Sequence, residues 1–323
     1  MKNIKVGVIG VGYLGKFHAQ KYAAMENVEL VGVADVVLSA ARQVAAACAT
    51  QAFADYRQLL PLVDAVSVVV PTPMHHPVAT ECFAAGVDVM LEKPMTVTLE
   101  EADDLIEKAE NGRRILQVGH LERFNPAIVA MQDYLTCPLF IESQRVHSFK
   151  PRGADVDVVL DLMIHDIDII LHVVPSPLQS IDTIGASVVT GGTDVATAHL
   201  IFKNGCAANV TVSRVAHDNV RSLRIYQPGS SLTVNYATKE ITVIERQTGL
   251  TPEGYPREEI IHFCFTEKDA LQAELADFIA NVRARRMPMV SGREGRQALE
   301  VALRIIRQIR EHHDRYKETL CVG

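Results

Sequence analysis

The stretch Val6-Gly7-Val8-Ile9-Gly10-Val11-Gly12-Tyr13-Leu14-Gly15 decides the fold. A β-branched apolar run enters a G-x-G-x-x-G and leaves as the start of a helical pattern. That strand-to-helix context is what gives an otherwise weak glycine pattern its meaning. The first glycine permits a tight turn, the second lets a pyrophosphate approach the backbone, and the third lets helix and strand pack closely. The start of the helix presents unpaired N–H groups and a positive dipole end to phosphates. Asp35 follows the next apolar run, twenty residues after Gly15. A carboxylate there accepts hydrogen bonds from ribose hydroxyls and repels a 2′-phosphate. The nearest following cation is Arg42, so the site is read for NAD rather than NADP.

Outward from this point the first third alternates. Strands are expected over 4–9, 28–34, 65–70, 87–91 and 115–118. Helices are expected over 14–25, 38–48, 77–85 and 99–110. This βαβ grammar implies a parallel sheet, and the strands lack alternation because both faces are covered. After about residue 120 the pattern changes. Helices over 126–135 and 159–172 flank a strand over 140–148. Strands over 181–189, 197–202, 207–213, 221–226, 231–236 and 241–245 then follow, with turn signals at Lys203-Asn204-Gly205 and Pro228-Gly229. Two final helices are expected over 269–285 and 293–317. The expected fold is α/β: an N-terminal Rossmann parallel sheet, residues 1–120, joined to a C-terminal α+β domain, residues 121–323. The second domain is built on a large, open-faced, mainly antiparallel sheet. The last helices are free to pack back on the first domain.

Composition narrows the function classes. The 323 residues carry a net charge of −7, which argues against nonspecific nucleic-acid binding. No apolar stretch is long enough to span a membrane. Residues 158–174 are rich in Leu and Ile but are broken by Asp161, His165, Asp166 and Asp168. No signal peptide is read, so a cytoplasmic protein is expected. Cys48, Cys82, Cys137, Cys206, Cys264 and Cys321 are scattered without a C-x-x-C pair, as expected of free thiols rather than a zinc site. No metal is expected.

Two further segments follow apolar strands: Pro71-Thr72-Pro73-Met74-His75-His76 and Glu92-Lys93-Pro94. Ligands bind outside the carboxyl ends of strands in such sheets, which places both segments at the cofactor edge. Farther on, Asp161-Leu162-Met163-Ile164-His165-Asp166-Ile167-Asp168 sets Asp161 and His165 four apart, on one helix face. Asp166 and Asp168 are read as structural. Oxidation of a secondary alcohol needs a base near its hydroxyl. Histidine starts near neutral pKa, and a lysine is brought there by burial or neighbouring positive charge.

With Arg123-Phe124-Asn125-Pro126 added, these motifs resemble the glucose–fructose oxidoreductase/inositol dehydrogenase (Gfo/Idh/MocA) family over essentially the whole chain. The resemblance implies NAD-dependent oxidation of a sugar hydroxyl. Catalytic roles fall on Lys93, His165 and Asp161, with either Lys93 or His165 as the base. Asp161 holds the substrate hydroxyl or His165. It implies cofactor contacts from Gly10, Gly12, Tyr13, Leu14, Gly15, Asp35, Pro71, Thr72, His75, Glu92, Lys93 and Arg123. His76 is read as structural or at the rim. Family members associate through the open sheet as dimers or tetramers.

Residues 118–126 and 157–168 look most like the nucleotide-sugar branch of the family. That branch implies a UDP-sugar substrate, oxidised at C3 of UDP-N-acetylglucosamine to the 3-keto sugar. An aminotransferase would then make the 3-amino sugar used in lipid A. Lys150 and Arg152 are the cations offered to the diphosphate, beside Lys93, Asp161 and His165 for the sugar; the competing reading of both cations is solvated surface charge. The alternatives are a free polyol dehydrogenase, such as an inositol dehydrogenase, and an inactive nucleotide-binding regulator. The last is disfavoured because Lys93 and His165 are both present.

Overall fold

The computed structural model describes residues 3–151, 153 and 156–321. The chain forms two units: residues 1–121 with 269–299, and residues 122–268 with 300–323. Each is described by itself.

In the first unit the elements run β1 (Ile4–Ile9), α1 (Gly15–Ala23), β2 (Val28–Ala34), α2 (Leu38–Ala47), β3 (Gln51–Phe53), β4 (Ala65–Val68), α3 (His75–Ala84), β5 (Asp88–Glu92), α4 (Leu99–Gly112) and β6 (Leu116–Gly119). The six strands are all parallel, in the order β3-β2-β1-β4-β5-β6. The chain runs outward from β1 in one direction, then returns to β4 on the other side of β1. The carboxyl end of β1 is therefore the switch point where two adjacent loops part and leave a crevice. Val6, Val8, Val66 and Val89 are fully buried, as expected for strands covered on both faces. Helix α4 starts at a capping box in which Thr98 and Glu101 satisfy each other's backbone N–H groups.

The second unit contains α5 (Pro126–Met131), β7 (Phe140–Val146), α6 (Ile164–Val173), β8 (Leu178–Ala186), β9 (Val195–Phe202), β10 (Ala207–Ser213), β11 (Val220–Gln227), β12 (Ser230–Asn235), β13 (Glu240–Leu250) and β14 (Pro256–Cys264). Their sheet has the order β14-β13-β12-β11-β7-β10-β9-β8, and every pair is antiparallel except β7 with β10. Strand β9 alternates strictly between buried and half-buried residues. Its inward Ala196, Ala198, Leu200 and Phe202 are fully buried. The other face carries polar cross-strand pairs: Thr197 with Thr211 at 3.2 Å, His199 with Asn209 at 2.5 Å, and Tyr226 donating to Glu142 at 3.0 Å. One wall of the sheet is thus a hydrophobic core and the other a polar surface.

After β14 the chain returns to the first unit through α7 (Ala270–Ala284) and the start of α8 (Gly292–Cys321). Leu275, Phe278, Ile279 and Val282 recur at helical spacing and join a core with Tyr22, Met25 and Val28. Burying each such side chain contributes about 1.5–3 kcal/mol. Contacts therefore assign residues 269–299 to the first unit, whereas a single boundary at residue 120 assigns them to the second.

Two strands escaped the sequence reading. Strand β3 has only three residues. Strand β14 is exposed or half-buried at every position, so no burial period marks it. The expected helix over 126–135 closes at Met131 and continues as a 3-10 turn over Gln132–Tyr134.

Candidate functional site

The site residues of the first unit lie at the carboxyl ends of its strands. A Cβ at Gly10, where φ is +85°, would stand 2.4 Å from the Val69 carbonyl oxygen, and one at Gly15 would stand 1.9 Å from the Gly10 carbonyl oxygen. Both contacts exclude a side chain. Gly12 differs: nothing lies within 4 Å of its would-be Cβ. That open space borders the start of α1, where a pyrophosphate fits. Asp35 stands at the end of β2. Its carboxylate accepts from the Val11 N–H and the Val37 N–H, each at 2.8 Å. These bonds lock the carboxylate beside the glycine loop and leave lone pairs for ribose hydroxyls. Next to it Val36 is 94% exposed, and Tyr13 and Leu14 are also exposed. Exposed apolar side chains at a strand's carboxyl edge suit a flat aromatic base. The residues present fit a dinucleotide.

Lys93 is half-buried and follows Glu92 at the end of β5. Below it lies a polar chain that sequence reading missed. Glu92 Oε1 meets His18 Nε2 at 3.1 Å. His18 Nδ1 meets Ser67 Oγ at 3.1 Å, and Ser67 meets Tyr22 OH at 2.9 Å. His18 and Tyr22 are essentially inaccessible. Burial pushes the Glu92 carboxyl up, but the hydrogen bond and charge of His18, with Lys93 nearby, leave it below its usual range. Burial raises the Tyr22 phenol well above its usual value, so it remains a neutral link. The available signal was spacing: His18 and Tyr22 lie four apart on α1, one turn beyond Gly15.

Pro71 is exposed and Thr72 half-buried after β4. The reading of His75 as a cofactor contact needs correction. His75 is buried, with Nδ1 at 3.0 Å from the Pro94 carbonyl oxygen and Nε2 at 2.9 Å from that of Val70. Burial lowers its pKa, and a neutral imidazole donates through only one of the two nitrogens. Both ring nitrogens address the backbone, so His75 ties the Pro71 loop to the loop carrying Lys93 and its cis Lys93–Pro94 bond. His76 pairs with Asp104 at 2.6 Å, joining α3 to α4.

In the second unit a π-turn over Val159–Met163 runs directly into α6. Such widened turns recur at functional sites. Across residues 161–170 only Asp161 and His165 keep partial exposure, and every other residue is buried. The pair therefore shares the one accessible side of this segment. A backbone turn at Gly153, φ +78°, passes so close that a Cβ there would stand 3.2 Å from Asp161 Oδ2. Arg214 anchors that turn by donating to the carbonyls of Gly153 at 3.0 Å and Val156 at 2.6 Å.

Asp166 and Asp168 point inward. Arg145, on β7, donates to Asp166 at 2.7 and 3.2 Å and to Glu122 at 2.9 Å, and its guanidinium lies 4.8 Å from the centroid of the Tyr236 ring. Arg123 donates to Asp168 at 2.9 Å. Arg123 is thus an interior residue, 4% exposed, rather than an accessible cofactor contact. Its burial follows from the preference of a guanidinium for a carboxylate once both leave water. The signal for Arg145 was phase: it shares the inward register of Ile141 and Ser143 on β7, and a cation there requires a partner. Lys150 is exposed on an irregular segment. Arg152 lies outside the described residues. Among the described residues no group of His, Cys, Asp and Glu forms a metal site, and no helix is long and apolar enough to cross a membrane.

Comparison with known proteins bears on this geometry. Residues 4–120 match an oxidoreductase family with an NAD-binding Rossmann fold, and residues 102–232 match the GFO/IDH/MocA C-terminal domain. The chain is 39% identical to UDP-N-acetylglucosamine 3-dehydrogenase of Acidithiobacillus ferrooxidans, covering 94% of this chain and 97% of the relative. A solved structure of that enzyme superposes with a TM-score of 0.89 at 38% identity, covering 96% and 98% of the two chains. The myo-inositol 2-dehydrogenase of Thermotoga maritima is 26% identical, covering 92% of this chain and 93% of the relative. Levoglucosan dehydrogenase in complex with NADH shares the fold, with a TM-score of 0.84 at 17% identity and coverage of 96% and 98%.

Proposed function

Because the chain belongs to the GFO/IDH/MocA family of NAD-binding oxidoreductases, we propose that it oxidises the C3 hydroxyl of UDP-N-acetylglucosamine to the 3-keto sugar. The observation that carries this reading is the 39% identity to a UDP-N-acetylglucosamine 3-dehydrogenase over 94% of the chain. Inositol dehydrogenases match at lower identity.

When bound, NAD would supply the hydride acceptor; Gly12 would leave room for its pyrophosphate and Asp35 would accept from its adenosine ribose. Lys93 or His165 takes the hydroxyl proton as the C–H bond breaks, and Asp161 fixes the hydroxyl or the imidazole. Lys150 and Arg152 offer cations to the substrate diphosphate. The 3-keto product suits an aminotransferase, which yields a 3-amino sugar of the kind used in lipid A. The uncovered polar face of the second sheet suits association of copies into a dimer or tetramer.

The test is NADH formation at 340 nm with purified protein, NAD and a panel of UDP-N-acetylglucosamine, other UDP-sugars and free inositols. Turnover is expected with UDP-N-acetylglucosamine, rising when an aminotransferase and glutamate remove the ketone. No turnover under either condition, or turnover of inositol alone, would overturn the assignment.

A further inference from the structure

We propose that the first unit carries a second ligand site, for a phosphate monoester with an apolar body, on the sheet edge opposite the glycine loop. A cavity of about 420 Å³ opens there, a size usual for small-molecule sites. Its place follows from the strands. Arg114 precedes β6, and its guanidinium reaches the Gly86 carbonyl just before β5. The cavity therefore sits at the amino ends of the parallel strands, whereas Gly10 to Gly15 follow the carboxyl end of β1.

Arg113, Arg114, Arg285, Arg286 and Arg293 line this cavity against one lining carboxylate, Glu110. They do so in a chain whose net charge is −7. Arg293 pairs with Glu110 at 2.7 Å. Arg285 pairs with Asp88 at 2.5 Å. Arg286 feels Asp277. Arg114 donates to the carbonyls of Gly112 and Gly86. Glu294 also acts on Arg293, so five guanidinium groups face four carboxylates and the cluster stays net positive. A phosphate monoester carries about −1.5 to −2 at neutral pH, an anion that this arginine-rich wall attracts. Guanidinium forks bind its oxygens in pairs.

Apart from Ser291, the rest of the wall is apolar or glycine. Ile106, Leu116, Met287 and Pro288 line it, and Met287 is 72% exposed at the rim. An inorganic anion would leave this surface wet, so an ester with an apolar group is the better complement. The backbone points the same way. Arg113 and Arg285 are the C-caps of α4 and α7, and both are left-handed at φ 52°. Glycine or asparagine usually takes that conformation. Here arginine holds both places, and the Arg285 guanidinium donates to the Arg113 carbonyl at 2.5 Å.

The probe is 1-naphthyl phosphate, titrated calorimetrically into the full chain with the cofactor site saturated by NADH. Inorganic phosphate and 1-naphthol are the single-feature controls. The ester is expected to bind at least tenfold tighter than either. Arg113→Glu with Arg286→Glu is expected to weaken it at least tenfold while NADH affinity stays unchanged. Arg113→Gly is a milder variant that relieves the left-handed backbone, and it is expected to weaken binding severalfold. An ester no tighter than inorganic phosphate, or binding unchanged in Arg113→Gly and in any double variant that folds, would overturn the site. The measurement needs no substrate turnover, so its failure is distinct from failure of the proposed reaction.

Discussion

The two units set their candidate bases in parallel ways. Lys93 directly follows Glu92, and His165 directly precedes Asp166. In each case the neighbouring carboxylate is turned into the interior and held by a buried cation or imidazole: His18 for Glu92, Arg145 for Asp166. The difference lies in the holder. Arg145 offers a forked guanidinium that donates to Asp166 and Glu122 at once. His18 offers two ring nitrogens, one meeting Glu92 and the other Ser67. The second unit uses an ionic platform built on an arginine, and the first a hydrogen-bonded chain that passes through a histidine.

The largest effects test whether the bases themselves matter. Lys93→Met and His165→Ala are each expected to lower kcat by about 10²–10⁴-fold, the usual contribution of a general base. NADH binding, followed by fluorescence, should survive in both. A near-normal kcat in either variant removes that residue from the mechanism.

Stability then separates the two platforms. Arg145→Met leaves Asp166 and Glu122 buried without their cation, a loss expected to cost about 3–5 kcal/mol in urea unfolding. His18→Gln keeps a polar side chain beside Glu92 and Ser67, and about 1–2 kcal/mol is expected. Equal costs would mean that the two platforms do not differ as described.

Acid unfolding sharpens the contrast further. The Glu92 carboxyl is lowered in the folded chain. The unfolded chain therefore binds its proton more readily, so its stabilisation is present above the ordinary glutamate value of about 4.3 and is lost as pH falls below it. His75, also lowered, adds a loss that begins as pH drops through about 6.5. Glu92→Gln should flatten only the lower limb of the stability–pH curve. A variant whose lower limb parallels that of the parent would break the assignment.

The smallest effect is expected at the surface. Arg296 pairs with Asp103 at 2.5 Å, with both side chains partly exposed. Arg296→Ala should cost about 0–1 kcal/mol and less in high salt. A larger, salt-insensitive loss would show that exposed pairs here behave like the interior ones.

Much of the first unit was legible because its candidate site residues share one place relative to the strands. Gly10, Gly12, Gly15, Asp35 and Lys93 each occupy the end of a strand or the loop after it, and a parallel sheet gathers strand ends at one edge. The reading failed where the partner is remote. His75 appeared beside the cofactor because its loop is there, yet its ring turns inward to two backbone carbonyls. Arg123 stands among the expected cofactor contacts, yet Asp168, forty-five residues on, holds it in the interior. Strand β14 left no burial period because both of its faces meet water.

The sequence by itself determined the family, the parallel sheet with its dinucleotide loop, the mainly antiparallel second sheet and the identity of the candidate bases. These are properties of local patterns: a glycine spacing, a period of two or 3.6, a polar pair on an apolar helix. Only the tertiary structure decided which polar groups are accessible and which are consumed inside. It supplied the arginine partners of Asp166 and Asp168, which the sequence had already set apart from Asp161 and His165. It joined Glu92 to His18 and Arg145 to Asp166, and it carried α7 back to the first unit. The physical reason is desolvation. A charged group leaves water only where a partner awaits it, and that partner is set by the packing of distant elements rather than by neighbours in the chain.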